Sequence, residues 1–102
     1  MIFDLRSDRN PVREEVSFLL THNRPESRVK ARIQVYTQMG QCVWDQEVNG
    51  MSEFLNNLPV TWDLRTSSGN RVLPGIYIYR ALLSSDGEHY ATKSKKLIVL
   101  GE

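Results

Sequence analysis

Apolar and polar residues alternate one for one through residues 29–35. Val29, Ala31, Ile33 and Val35 fall on one side, and Lys30, Arg32 and Gln34 on the other. A strand turns successive side chains to opposite faces, so this pattern predicts a half-buried antiparallel strand with Ile33 inside and Arg32 in water. Residues 16–22 repeat it, with Val16, Phe18 and Leu20 on the apolar side. Further strands are predicted over 41–48, 60–64, 76–84 and 90–100, while 51–58, closed by Pro59, carries the weakest pattern. Turn residues separate these runs. Met39-Gly40, Asn49-Gly50 and Asp86-Gly87 accept positive φ, and Asp86-Gly87 reads as a tight hairpin. No segment sustains a capped helical period. The chain therefore reads as all-β, an Ig-like antiparallel β-sandwich of about seven strands.

The most informative stretch is 62–80. Trp62-Asp63-Leu64 closes one strand, a polar loop runs to Gly69, and Val72-Leu73-Pro74-Gly75 leads into Ile76-Tyr77-Ile78-Tyr79-Arg80. Spacing two places Tyr77 and Tyr79 on the same strand face. Pro74 lacks an amide donor just where the ladder has not begun. Gly75 allows either a sharp turn or a close backbone approach.

Composition narrows the class. At 102 residues the chain is one domain, residues 1–102, large enough for a single core. Thirteen basic residues against 12 acidic ones leave a net charge of +1, which gives no electrostatic reason to expect nucleic acid. The single cysteine, Cys42, has no partner for an internal disulfide. No apolar run is long enough for direct membrane insertion as a spanning helix. Met1-Ile-Phe-Asp-Leu-Arg does not read as a secretory signal, so the chain is either cytosolic or a piece of a longer exported protein.

Candidate chemistry is sparse. Cys42 could be paired with His22 or His89 as nucleophile and base, but its place beside Val43 and Trp44 makes a small buried hydrophobe the better reading. The two histidines and one cysteine lack the spacing of a tetrahedral metal site, and Asp63 and Asp86 lack the acidic ladder of a calcium loop. The expectation is no catalytic residue, no metal and no cofactor. Trp44, Trp62, Tyr36, Tyr77 and Tyr79 could stack against sugar rings, but large aromatics in a sandwich more often fill its core. Lys93, Lys95 and Lys96 form the one local charge run, followed by Leu97, Ile98, Val99 and Leu100. That run reads as a solvated face with edge gatekeepers or as a docking surface.

The order Trp-Asp, Gly, Pro-Gly-x-Tyr-x-Tyr-Arg over 62–80 resembles the Ig-like domain of flagellar hook-cap proteins. It also resembles the C-terminal sorting domains of type IX secretion cargo, with Leu64 standing where those families favour glycine. Asn10-Pro11-Val12 resembles the Asn-Pro entry of the sorting domains, with Arg9 where proline is more usual, and 93–100 resembles their basic-then-apolar final strand. Asn10-Pro-Val-Arg, Val16-Ser-Phe and Thr21-His-Asn-Arg-Pro25, with Ser94-Lys-Lys-Leu-Ile-Val-Leu100, are similar to the tail of the sortase of that system. The resemblance implies a non-catalytic secretion-signal and surface-attachment domain whose parent is a caspase-like cysteine sortase with its catalytic residues upstream. It implies the type IX translocon and a PorV-like outer-membrane shuttle barrel as partners, and the cell surface as location after export through the periplasm. It implies retention of the domain in the sortase and cleavage in most cargo. The partner-binding residues expected are Lys93, Lys95, Lys96, Leu97, Ile98, Val99 and Leu100, with Gly75 and Tyr77 on the neighbouring edge. A carbohydrate-binding or structural spacer module is the alternative, and a hook-cap assembly domain a third reading.

Overall fold

The computed structural model describes residues 3–22, 30–48, 57–85 and 87–101. Among them are eight strands and no helix: β1 (Phe3–Ser7), β2 (Val16–His22), β3 (Lys30–Thr37), β4 (Cys42–Val48), β5 (Asn57–Trp62), β6 (Gly75–Ser85), β7 (Glu88–Ala91) and β8 (Lys95–Val99). A three-stranded sheet has the order β1-β2-β5, and a five-stranded sheet the order β4-β3-β6-β7 with β8 also paired to β6. All of these strand pairs are antiparallel. The chain is the all-β, Ig-like sandwich that its alternation predicts.

Both sheets bury apolar side chains against one core. Val16, Phe18 and Leu20 of β2 face Ala31, Ile33 and Val35 of β3 and Tyr77, Tyr79, Ala81 and Leu83 of β6 across that core. An aromatic chain runs through it. The Phe18 ring lies 4.9 Å from Tyr79 and 6.1 Å from Trp44, and Trp44 stacks on Trp62 at 5.5 Å. Such offset and tilted contacts add about 0.5–1.5 kcal/mol per pair beyond the buried area. The buried polar tips are satisfied: Trp62 Nε1 donates to the Arg65 carbonyl at 2.8 Å and the Tyr77 hydroxyl to the Leu73 carbonyl at 2.6 Å.

Three elements differ from the sequence expectation. β1 has no counterpart among the predicted strands, because its alternation is a single buried Leu5 between the polar Asp4 and Arg6, too short a pattern to read. The run expected over 60–64 ends at Trp62, and Leu64 takes a left-handed φ of 64° with its side chain wholly buried. The run 90–100 is two strands rather than one. Between them Thr92 turns inward, its N–H donating to the Ala81 carbonyl at 2.9 Å and its hydroxyl accepting from the Ala81 N–H at 2.8 Å. One threonine thus seals the edge of β6 where the chain passes from β7 to β8. Residues 51–56 and the Asn49-Gly50 and Asp86 turn positions lie outside the described residues.

Candidate docking surface

β8 runs beside the first half of β6, with Gly75 opposite Val99, Tyr77 opposite Leu97 and Tyr79 opposite Lys95. Because side chains alternate, Leu97 and Val99 enter the core, whereas Lys96 and Ile98 face solvent. This divides the expected partner-binding residues. Leu97, Val99 and Tyr77 are buried in the core. Lys93, Lys96 and Ile98 are exposed, Leu100 is half-buried, and Gly75 is exposed. Gly75 has φ of 154° with nothing within 4 Å of where a Cβ would stand, so glycine serves the backbone conformation there and not a close approach.

Lys95 differs from its neighbours. Its Nζ lies 2.9 Å from Asp4 Oδ1, which ties β8 to β1 across the two sheets. That hydrogen bond holds the Asp4 carboxyl below its ordinary pKa, against the opposing effect of burial. Lys96 and Lys93 have no such partner among the described residues.

A strand at a sheet edge normally leaves backbone groups for another chain to pair. β8 does not. On its outer side the Asn10 side chain accepts from the Ile98 N–H at 2.9 Å and donates to the Lys96 carbonyl at 2.8 Å. The Val12 N–H then donates to the Ile98 carbonyl, and the Leu100 N–H to the Val12 carbonyl, each at 2.8 Å. Two arginines hold the chain just past β8: Arg71 donates to the carbonyls of Arg13 and Leu100, and Arg13 to that of Gly101. Main-chain pairing of a partner to this edge, the obvious way for a terminal strand to dock, is thereby occupied from within. The two ends whose wording carries the family resemblance lie side by side.

The remaining candidates separate. Cys42 is exposed, contrary to the burial expected of it. The register of β3 on β4 shifts between Val35 and Tyr36, so Val43 is an extra residue and Cys42 falls opposite the outward-facing Tyr36. Its Sγ donates to the Trp44 carbonyl at 3.4 Å. His89 sits on β7, at the opposite edge of the same sheet from the thiol, and His22 belongs to β2 of the other sheet. Asp63 Oδ1 accepts from the Arg65 N–H at 3.2 Å as part of its turn. Of the five aromatics, Trp62, Tyr77 and Tyr79 are buried and Trp44 packs against the core. Tyr36 faces out, but the Arg80 guanidinium lies 5.2 Å above its ring. No flat aromatic platform forms from them.

Solved structures that share this architecture include three whose names bear on function. Dimeric latent PorU from Porphyromonas gingivalis matches with a TM-score of 0.88 and 31% identity over 99% of this chain. The chain is a PorU-like domain with an FlgD-like Ig fold. FlgD from P. aeruginosa matches with a TM-score of 0.61 and 28% identity, over 82% of this chain and 59% of FlgD. PorZ, described as an essential bacterial surface component of the type IX secretion system of Porphyromonas gingivalis, matches in fold with a TM-score of 0.55 and 17% identity, over 94% of this chain and 11% of PorZ. The PorU-like domain spans 9% of the PorU chain that it matches. No family model matches its sequence, and no curated protein sequence does.

Proposed function

We propose that this domain is a non-catalytic secretion and surface-attachment module of a type IX secretion protein. It targets its parent through the translocon and docks it to an outer-membrane shuttle barrel on the bacterial cell surface. The parent, in this reading, is a caspase-like cysteine sortase whose catalytic residues lie outside these 102 residues. The observation that carries the proposal is the PorU match, at 31% identity over 99% of the chain. The fold shared with PorZ is in keeping with it.

In this reading docking works through side chains and adds no strand at β8. With the β8 edge occupied by Asn10 and Val12, affinity comes from side chains on an outward face rather than from an added strand. Lys96 is the basic residue of choice for a test, because reversing Lys95 would set two carboxylates together at Asp4 and disturb the fold. The purified domain, mixed with solubilised outer membranes of a bacterium that has the type IX system, is expected to retain the shuttle barrel. Lys96→Glu should weaken retention at low salt, with a smaller loss as salt screens the charge. A folded wild-type domain that retains no barrel would contradict the docking role.

A further inference from the structure

The outer face of the five-stranded sheet is uneven in a way that the fold does not require. Among the described residues, four large hydrophobic side chains are exposed: Met39 at 95%, Leu73 at 78%, Ile98 at 42% and Ile76 at 37%. They gather at one end. Ile76 and Ile98 are directly opposite on β6 and β8, Leu73 lies just before β6, and Met39 sits in the turn after Thr37, itself opposite Tyr77. Single exposed hydrophobics are ordinary on a protein surface, but the paired Ile76 and Ile98, with two more toward the same end, suit an interaction surface. Lys30 and Val48, from which chain outside the described residues continues, are at the other end of β3 and β4.

One step along the strands the face becomes cationic. Lys96 is opposite Ile78, with no ionic partner among the described residues. Arg80 comes next on β6. Its Nε donates to Gln34 Oε1 at 3.2 Å and one terminal nitrogen to the Tyr36 hydroxyl at 3.3 Å, while Tyr36 donates in turn to Gln34 at 2.7 Å. Both acceptors are neutral. Arg80 is half-buried, oriented and stacked on an aromatic ring, yet among the described residues no carboxylate meets its charge. The adjacent Arg32 shows the contrast, since it is ion-paired to Asp45 at 3.0 Å and to Glu47 at 3.9 Å. A guanidinium held in a fixed plane with donors to spare is suited to carboxylate recognition.

We propose that the outer face of β3, β6 and β8, from Ile76 and Ile98 to Lys96 and Arg80, docks a protein segment bearing carboxylates beside apolar side chains. The proposal deepens the attachment role above, on which it rests, by naming the face and the chemistry of the partner. The apolar pair supplies the water-excluding centre, and the two cations set which partner is accepted. A directional arginine favours a peptide over an anionic lipid surface, which draws on larger clusters of mobile lysines and arginines.

The test uses the purified chain, so its failure leaves the barrel-retention experiment standing, and the reverse. Three short capped peptides alternate leucine with glutamate, with lysine or with serine, and vesicles of phosphatidylglycerol serve as a fourth probe. Titration followed by backbone amide shifts is expected to show the glutamate peptide bound most tightly, with shifts at Ile76, Ile78, Arg80, Lys96 and Ile98. Arg80→Gln should weaken it by about tenfold, and Lys96→Glu should move the preference toward the lysine peptide. Ile98→Ser, at an exposed position, should keep the fold by its amide spectrum and lose binding. Equal binding of the three peptides, shifts confined to another face, or binding to the vesicles in preference to the glutamate peptide would overturn the proposal.

Discussion

Leu64 holds a left-handed backbone conformation that costs a residue with a side chain about 1–2 kcal/mol, and it does so with its side chain fully buried. The Val72 N–H donates to its carbonyl at 2.8 Å, closing the loop that leads back toward β6. Leu64 stands where the families that the 62–80 motif resembles favour glycine, and that much is legible in the sequence. That the turn is kept and that burial offsets the strain emerges only from the fold. Truncation should therefore show an inverted order for a core site. Leu64→Ala loses the buried side chain and keeps the strain, at roughly 2–5 kcal/mol, while Leu64→Gly loses the side chain but relieves the strain and should be about 1 kcal/mol less damaging. Denaturant midpoints with glycine the worse of the two would contradict the account of this turn. The Asp4–Lys95 pair supplies a test by pH. Asp4 is lowered in the folded state by its hydrogen bond to Lys95, so its contribution is present above the ordinary carboxylate pKa and is lost as pH falls through the lowered value. Lys95→Met should return the Asp4 titration, followed by carboxyl chemical shift, toward its ordinary position. Because both side chains are partly exposed, stability should change by no more than about 1 kcal/mol.

At the scale of elements, strands with one face buried were legible and strands defined by distant partners were not. β2 and β3 announce themselves because Val16, Phe18, Leu20, Ala31, Ile33 and Val35 are all buried, on strict alternation. β1 owes its place to pairing with β2 and to the Lys95 contact, neither of which leaves a local signal. The same limit hid the closure of β8. Asn10 reaches backbone groups of Lys96 and Ile98, 86 and 88 residues away, and a lone asparagine before proline carries no sign of that distance. Its role can be measured directly. Asn10→Ala removes two hydrogen bonds from an exposed edge and should cost roughly 1–3 kcal/mol, with faster hydrogen exchange at the Ile98 amide. Unchanged exchange there would mean that water replaces the side chain at no cost.

For the whole molecule, the outward and inward residues of β8 are settled only once both sheets are placed, so sequence alone could not say which residues of the terminal run face solvent. Lys96 and Ile98 remain available to a partner, Lys95 is committed to Asp4, and Leu97 and Val99 belong to the core. The fold matches PorU across nearly the full chain, and the attachment role built on that match requires the domain to act on a protein that lacks it. The most direct measurement fuses the domain to the C-terminus of a folded periplasmic reporter in a bacterium that has the type IX system. Reporter at the cell surface is quantified by protease accessibility, alongside a strain lacking the translocon. The account predicts surface reporter in the first strain, periplasmic reporter in the second, and a reduced surface fraction for the folded Lys96→Glu variant. Reporter that stays in the periplasm of the competent strain, with the domain folded, would contradict it.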